Sequence, residues 1–299
     1  MIQGLMMKLS DEELLAELKR RFTEQKELLQ SMNELTEKLK TVNQKLIESE
    51  QLKTDFLSNI RNEINNPLTA ILGISENLSL EENIDMEVVK EMVKTIHMEA
   101  FNLDFQLRTI FAAAEIEAGE ARLHISKVNM DEMMHRIVHE FRQIADSKSV
   151  HLELDIQLKS VEGNAIQFLT DPEKIHLVIS NLLSNALEYG GEGEKIEIKS
   201  WIEGEIFYVA VRDYGIGISY NDQKKIFDRF VQLDTGITKK YRGHGLGLSV
   251  TRSAIEMLKG SISVRSGEGN GSIFSISVPQ MKVDEAVESY AEDGNEELF

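Results

Sequence analysis

A long N-terminal stretch without proline or glycine constrains this chain most. From Asp11 to about Lys53 neither residue type interrupts the sequence. Apolar residues recur at alternating intervals of four and three, if Arg21 and Gln25 fill two of the positions. The apolar members are Leu14, Leu18, Leu28, Met32, Leu35, Leu39, Val42 and Leu46. This heptad pattern predicts an N-terminal coiled coil over residues 1–50, because a lone helix of this length needs a partner. The alternative is a single amphipathic helix packed on its own domain.

A second heptad-like pattern follows and stops at Gly119, a residue that commonly ends helices. Its members are Val89, Val93, Ile96, Ala100, Leu103, Leu107, Ile110 and Ala114. A turn near residues 80–85 separates it from an apolar stripe that begins after residue 50. The two segments predict a helical hairpin over residues 51–120, which buries both stripes best as a homodimeric four-helix bundle.

After residue 120 the pattern changes to short alternating runs that predict strands, with helical runs between them. The predicted strands are Leu123–Val128, Val150–Leu158, Lys195–Trp201, Ile206–Val211, Ser261–Val264 and Ile273–Val278. The predicted helices are Asp131–Asp146, Pro172–Tyr189 and Leu246–Leu258. This mixture predicts an α+β layered domain over residues 121–280, with helices on one face of a mixed sheet. Residues 281–299 hold seven acidic residues and one lysine, which predicts a disordered tail.

Charge and cysteine content exclude several classes of protein. The chain has 33 Lys and Arg against 51 Asp and Glu, a net charge of −18, which disfavours nucleic-acid and anionic membrane partners. The absence of cysteine excludes a disulfide scaffold and a thiolate site, and it fits a reducing compartment. No apolar run approaches the ~20 residues of a membrane span. We therefore expect a cytoplasmic protein.

One candidate site is an Asp-x-Gly-x-Gly segment directly after a predicted strand, formed by Asp213, Gly215 and Gly217. A carboxylate at a strand end accepts a hydrogen bond from an exocyclic amine, and glycines let a flat ring approach the backbone. An ordinary tight turn is an equally good interpretation of the segment.

A second glycine-rich segment, with Gly243, Gly245 and Gly247, opens a predicted helix. Backbone N–H groups at a helix N-terminus, together with the helix dipole, form a cradle for phosphate. The segment follows a basic loop and not a strand, so it differs from the dinucleotide-binding fingerprint. The basic residues of that loop are Lys239, Lys240 and Arg242.

A pair of asparagines, Asn181 and Asn185, is spaced by four on a predicted helix and so shares one face. Paired amides suit an oxygen-ligated cation such as Mg²⁺ that keeps its waters and bridges phosphates. The alternative is that each amide caps neighbouring backbone.

Within about 70 residues the asparagine helix, the Asp213 turn, the sequence IFDRF at 226–230, the basic loop and the second glycine segment follow in order. This order resembles the GHKL ATPase domain of sensor histidine kinases. The preceding hairpin resembles the dimerisation and phosphotransfer domain of the same family. The similarity extends over roughly residues 50–280.

The resemblance implies a site for ATP and Mg²⁺. Asp213 would contact the adenine amine, Asn185 would bind Mg²⁺ and Asn181 would support it, while Gly215 and Gly217 would line the adenine pocket. Residues 231–245 would form a lid over the nucleotide, and the lid and the start of the next helix would contribute the residues that face the phosphates. The ATP-binding residues of this segment would be Lys239, Lys240, Arg242, Gly243, Gly245, Leu246 and Gly247. The family commonly has a phosphate-binding lysine where this chain has Glu188.

The chain departs from the family at the phosphoacceptor motif. The family reads His-Glu-x-x-Thr/Asn-Pro, whereas this chain has Asn62, then Glu63, and Asn66 before Pro67. An amide nitrogen is not nucleophilic at neutral pH, so Asn62 cannot form the phosphoramidate that an imidazole forms. By resemblance, Glu63 would orient the imidazole and Asn66 would position water for phosphatase action. We therefore expect no self-phosphorylation at this position.

Two origins of Asn62 stay open: replacement of an acceptor histidine, or a natural relative that lacks one. The first hypothesis is a homodimeric two-component histidine kinase-type protein that binds MgATP and partners a response regulator receiver domain. The alternative is a natural pseudokinase, scaffold or phosphatase that acts on a response regulator or a sister kinase. In either case a separate sensor protein is a candidate source of the stimulus.

Overall fold

The computed structural model describes residues 11–80, 85–157, 167–191, 193–233 and 245–282. The chain divides into two compact units, residues 1–57 and 58–299. Its helices are α1 (Asp11–Leu80), α2 (Met86–Ala118), α3 (Met130–Ser147), α4 (Pro172–Tyr189) and α5 (Gly247–Met257), with a 3₁₀ turn at Lys225–Phe227. Its strands are β1 (Ser126–Asn129), β2 (His151–Gln157), β3 (Gln167–Thr170), β4 (Lys195–Glu203), β5 (Ile206–Arg212), β6 (Ser261–Ser266) and β7 (Ser272–Pro279).

The N-terminal heptad stripe lies on α1 and is open to solvent in the single chain. More than half of the surface of each large apolar side chain in the series is exposed, wherever that side chain is described. These residues are Leu18, Leu28, Met32, Leu35, Leu39, Val42 and Leu46. The predicted helix is therefore present, and its apolar face lacks cover among the described residues. None of the helices in the described ranges has the length and hydropathy to cross a bilayer.

The predicted hairpin helices end where the sequence indicates. α1 ends at Leu80, and α2 begins after Asp85, whose carboxylate accepts a hydrogen bond from the Glu87 N–H at 2.9 Å. α2 ends at Gly119, which has a left-handed φ of 72° and donates its N–H to the Ile116 carbonyl. A left-handed residue satisfies the last carbonyls of a helix, and glycine adopts that conformation without steric penalty.

The main sheet has five strands in the order β2-β4-β5-β7-β6, and α3, α4 and α5 supply the helical layer of its core. β2 pairs with β4 in parallel, and the other neighbouring pairs are antiparallel. Buried residues alternate with more exposed ones along β4, β5 and β7, so one face of the sheet meets the helices. The predicted α+β architecture with a mixed sheet is confirmed.

A second, two-stranded sheet contains the one described strand that the sequence analysis missed. β3 pairs antiparallel with β1, and Val128 faces Phe168 across the pair. Four residues are too few for a period-two pattern to show, and the partner strand is distant in sequence. The predicted strand beginning at Leu123 begins instead at Ser126. The reason is that the His124 N–H donates to the carboxylate of Asp171, at 2.7 Å, and not to a ladder.

Candidate functional site

Helix α4 carries the asparagine pair, and its start is tightly held. Asp171 is fully buried and caps the helix by accepting a hydrogen bond from the Lys174 N–H at 2.9 Å. Pro172 occupies the first turn, where a missing N–H leaves no bond unmade. One oxygen of the same Asp171 carboxylate accepts from the His124 backbone, so the segment that enters the domain from the hairpin is tied to the start of α4.

Asn181 and Asn185 lie one turn apart on α4, as the sequence predicts. Asn181 is 2% exposed, and the Nδ2 atoms of both residues are buried without a hydrogen-bond partner among the described residues. A buried, unpaired amide group costs about 1–3 kcal/mol, so native proteins rarely leave one unexplained. A polar ligand or ordered water that binds at this helix face would supply partners for both amide groups.

Asp213 follows β5 and is held by the backbone around it. It is 5% exposed, and its Oδ1 accepts hydrogen bonds from the N–H groups of Gly215 at 3.0 Å and Ser272 at 3.2 Å. Burial raises the pKa of the Asp213 carboxyl above its ordinary value, and hydrogen bonds from the Gly215 backbone and from the backbone and side chain of Ser272 oppose the rise. Both of these backbone bonds use the same carboxylate oxygen.

The glycines of the Asp213 turn are required by close backbone packing. A Cβ on Gly215 would lie 1.7 Å from the Tyr189 carbonyl oxygen at the end of α4. A Cβ on Gly217, whose φ is +68°, would lie 1.9 Å from the carbonyl oxygen of Gly267 in the β6–β7 turn. The tight-turn interpretation therefore accounts for both glycines without a ligand.

The second glycine segment meets α4 at the start of α5. Leu246 is 2% exposed, and a Cβ on Gly247 would lie 3.3 Å from the Oδ1 atom of Asn181. The Phe230 N–H donates to the carbonyl of Gly245 at 3.0 Å, so this bond joins the two ends of the predicted lid. The predicted site residues Lys239, Lys240, Arg242 and Gly243 lie outside the described residues.

Both ends of the candidate site therefore rest on α4. Asn181 neighbours Gly247 at one end, and a Cβ on Gly190 would lie 3.3 Å from the Asp213 Cβ at the other. The two positions are separated by about 14 Å of helix. A base near Asp213 and phosphates near the N-terminus of α5 would thus lie at opposite ends of α4, and helix N–H groups favour anions at the second of these places.

The cation predicted at Asn185 has few candidate protein ligands. Among the described ranges, no group of three or more His, Asp and Glu side chains is placed to hold a metal ion. A single amide oxygen fits a Mg²⁺ ion that keeps its waters and binds phosphate oxygens as well. The residues present thus fit a metal that arrives with a nucleotide.

Two contacts of the site were not foreseen from the sequence. Glu188 accepts a hydrogen bond from Lys148 at 2.7 Å, and the same ammonium also donates to the Leu187 carbonyl at 3.0 Å. This pairing offsets the negative charge that Glu188 brings near the asparagine face. Thr109 of α2 lies 3.4 Å from Asn181, measured from Oγ1 to Oδ1. The two residues of each contact are far apart in sequence, so no local sequence pattern predicts the contact.

The acceptor-motif residues lie on α1, within the second unit. Asn62 and Asn66 are exposed and one turn apart, whereas Pro67 is buried. Glu63 is helical, and its side chain lies outside the described part of the chain. Both asparagine side chains are therefore open to another molecule.

Comparisons with known proteins agree with this architecture. Residues 170–282 match the family described as histidine kinase-, DNA gyrase B- and HSP90-like ATPase. Residues 52–119 match the His Kinase A (phospho-acceptor) domain. The chain belongs to the sensor histidine kinase family.

Individual relatives differ in how much of their own length this chain matches. It is 32% identical to the circadian input-output histidine kinase CikA of Synechococcus elongatus, over 79% of this chain and 31% of CikA. It is 28% identical to the sensor histidine kinase YcbM of Bacillus subtilis, over 86% of this chain and 81% of YcbM. The structure of full-length ShkA with AMPPNP shares the fold at a TM-score of 0.53 and 19% identity, over 78% of this chain and 46% of ShkA. The chain thus spans less than a third of CikA.

Proposed function

We propose that this chain is a two-component histidine kinase-type protein whose C-terminal domain binds MgATP. The observation that carries the proposal is the pair of buried, unpaired amides on α4, between Asp213 and the start of α5. The family to which residues 170–282 belong implies ATP binding. We propose the domain boundaries that the sequence indicates: coiled coil 1–50, hairpin 51–120, ATP-binding domain 121–280 and acidic tail 281–299.

In this proposal each end of the nucleotide meets a different kind of group. The Oδ2 atom of Asp213 accepts a hydrogen bond from the adenine amine. The first N–H groups of α5, with the basic residues of the lid, face the phosphates. Asn185 supplies an amide oxygen to Mg²⁺, and Asn181 supports it. Bound Mg²⁺ would neutralise phosphate charge, which is the main requirement of phosphoryl transfer.

Asn62 limits the chemistry that this chain performs on itself. Its amide has no nucleophilic lone pair at neutral pH, so no phosphoramidate forms there. The exposed Asn66, one turn away, favours a second candidate function: a phosphatase or scaffold that meets a response regulator receiver domain or a sister kinase. An amide at this place would hold a water in line with an aspartyl phosphate.

We further propose that the protein is a homodimer with a coiled coil at its N-terminus. The exposed apolar stripe of α1 supports this, because contiguous apolar surface of this length is unusual in a monomer. Input would then come from a separate sensor protein. The sequence has no cysteine, which fits a reducing compartment, and we propose a cytoplasmic location.

Calorimetry with the full chain tests nucleotide binding. We expect MgATP to bind, and we expect Asp213→Ala to weaken binding by about 1–3 kcal/mol because the adenine amine loses its acceptor. Asn185→Ala should weaken binding only when Mg²⁺ is present. Asn270→Ala is a matched control on an exposed turn and should bind as the unmodified chain does.

The absence of binding by the unmodified chain at millimolar MgATP would contradict the proposal. Equal losses from Asn185→Ala with and without Mg²⁺ would contradict the metal role of Asn185 alone.

A further inference from the structure

The hairpin helix α2 packs directly against the ATP-binding domain through a mainly apolar contact. The rings of Phe101 and Phe105 meet Phe141 of α3 edge-on, with centroid distances of 5.3 and 5.9 Å. At the far end of α2, a carboxylate oxygen of Glu115 lies 3.8 Å from the Lys174 ammonium of α4. Between these ends a side chain of α2 reaches the asparagine pair.

That side chain is Thr109, a polar residue in a mainly apolar interface. It is 1% exposed, and its Oγ1 lies 3.0 Å from the Phe105 carbonyl oxygen and 3.4 Å from the Oδ1 of Asn181. A hydroxyl has one proton to donate, and Thr109 donates it to the nearer acceptor, the Phe105 carbonyl oxygen. The lone pairs of the same oxygen then face Asn181 and need a donor.

The Asn181 amide can supply that donor. Its Nδ2 is buried without a partner among the described residues, while its Oδ1 faces the Thr109 oxygen. The Oδ1 and Nδ2 groups of an asparagine have nearly the same shape, so the orientation of the amide is assigned from the hydrogen bonds that the two groups make. A half-turn of the amide pairs Nδ2 with Thr109 and turns the oxygen to the buried position where Nδ2 has no partner among the described residues.

We infer that Thr109 is a positioning residue for the nucleotide site: it accepts a hydrogen bond from Asn181 and so fixes which amide atom meets the ligand. An oxygen suits the waters around Mg²⁺, whereas an N–H₂ group does not. The inference rests on the proposed function, in which Asn181 supports the metal. It makes α2 of the hairpin a part of the MgATP site, so that undocking α2 releases the Asn181 amide.

Thr109→Val tests the hydroxyl while keeping the shape of the side chain. We expect MgATP affinity of the full chain to fall about fivefold, the effect of one lost hydrogen bond, with ATP affinity in EDTA unchanged. Thr109→Ser keeps the hydroxyl and should stay within about twofold. Thr95→Val is the matched control, because Thr95 bonds the Glu91 carbonyl on the same helix in the same way.

A second measurement is independent of nucleotide. In the ligand-free chain labelled with ¹⁵N-asparagine, the Asn181 side-chain N–H₂ signals, assigned by their loss in Asn181→Asp, should exchange with solvent slowly. Thr109→Val should accelerate that exchange at least about tenfold. Unchanged exchange, or an equal loss of affinity with and without Mg²⁺, would overturn the inference. Failure of the unmodified chain to bind MgATP is a different result and would overturn the proposed function.

Discussion

The ATP-binding domain and the long helix α1 contain similar apolar residues in very different surroundings. On α4, Ile175, Ile179 and Leu182 are completely buried, whereas on α1 Leu35 is 59% exposed and Leu39 is 61% exposed. The sheet gives α4 a second layer to pack against, and no described residue does this for the apolar stripe over residues 18–46 of α1. An apolar helix face therefore has two possible meanings: a core that the chain completes itself, or half of a core that another chain completes.

The same comparison separates what one chain can do alone. The ATP-binding domain has a closed core and a pair of buried amides within one chain. The proposed coiled coil instead needs a second chain to cover its heptad stripe. The predictions below ask, in order of decreasing effect, whether this division between the two regions holds.

The largest effect should come from restoring a nucleophile on the helical side. Asn62→His should convert a chain without label into one that incorporates the γ-phosphate of ATP as an acid-labile, base-stable adduct, because neutral imidazole attacks phosphorus. Asn62→Gln is the matched control and should stay unlabelled. Label on the unmodified chain would show that another residue accepts phosphate, and it would contradict the prediction that Asn62 prevents self-phosphorylation.

Truncating a core residue should change the stability of the ATP-binding domain, whereas truncating a stripe residue should change the oligomeric state. Ile179→Ala should lower the unfolding free energy of the ATP-binding domain by about 2–5 kcal/mol, since it leaves a cavity in a closed core. The single tryptophan, Trp201 of β4, stacks on Tyr208 and reports on this sheet by fluorescence.

Leu39→Ala should leave that unfolding transition in place and shift light scattering toward monomer. A dimer as stable as that of the unmodified chain would contradict the coiled-coil proposal. If Leu39→Ala instead destabilised the ATP-binding domain, the two regions would not be independent, and the comparison between them would be wrong.

Asp213 should give the affinity and the stability of the domain opposite pH trends. Only the carboxylate accepts from the adenine amine, so ATP affinity should fall as the pH drops through the raised pKa of Asp213, by up to about 1–3 kcal/mol. The same raised pKa means that ionisation is less favourable in the folded state. This residue's contribution to stability is therefore present at low pH and lost as the pH rises through that pKa.

Asp213→Asn should remove both trends and make the ligand-free domain more stable at neutral pH. Calorimetry and urea unfolding over the same pH range measure the two. Affinity that falls equally in Asp213→Asn would assign the titration to another group.

The smallest predicted effect concerns the hairpin itself. Asp85→Ala removes the acceptor for the Glu87 N–H and should lower hairpin stability by about 1 kcal/mol. Asp85→Asn keeps a capping oxygen and should be close to neutral. Hydrogen exchange in the first turns of α2 measures both. Equal protection in the two variants would show that contacts other than the Asp85 cap hold the start of α2.

The local features of the fold were predictable, and the long-range ones were not. Pro172 in a first turn and a regular apolar period gave the bounds of α4 correctly, and Gly119 ended α2. β3 escaped prediction because its four residues depend on a partner strand elsewhere. Motif order pointed to Asn181 and Asp213, but Thr109, 72 positions from Asn181, enters the site only through the docking of α2.

The tight packing of the Asp213 turn affects how related sequences can be compared. Because any side chain at Gly215 or Gly217 would collide with backbone, natural selection for a folded domain alone would keep both glycines. A descendant that lost ATP binding would retain them and would change first at the unpaired amides and at the buried carboxylate. Degeneracy among relatives should therefore be scored at Asn185 and Asp213, and the glycines should be treated as markers of ancestry.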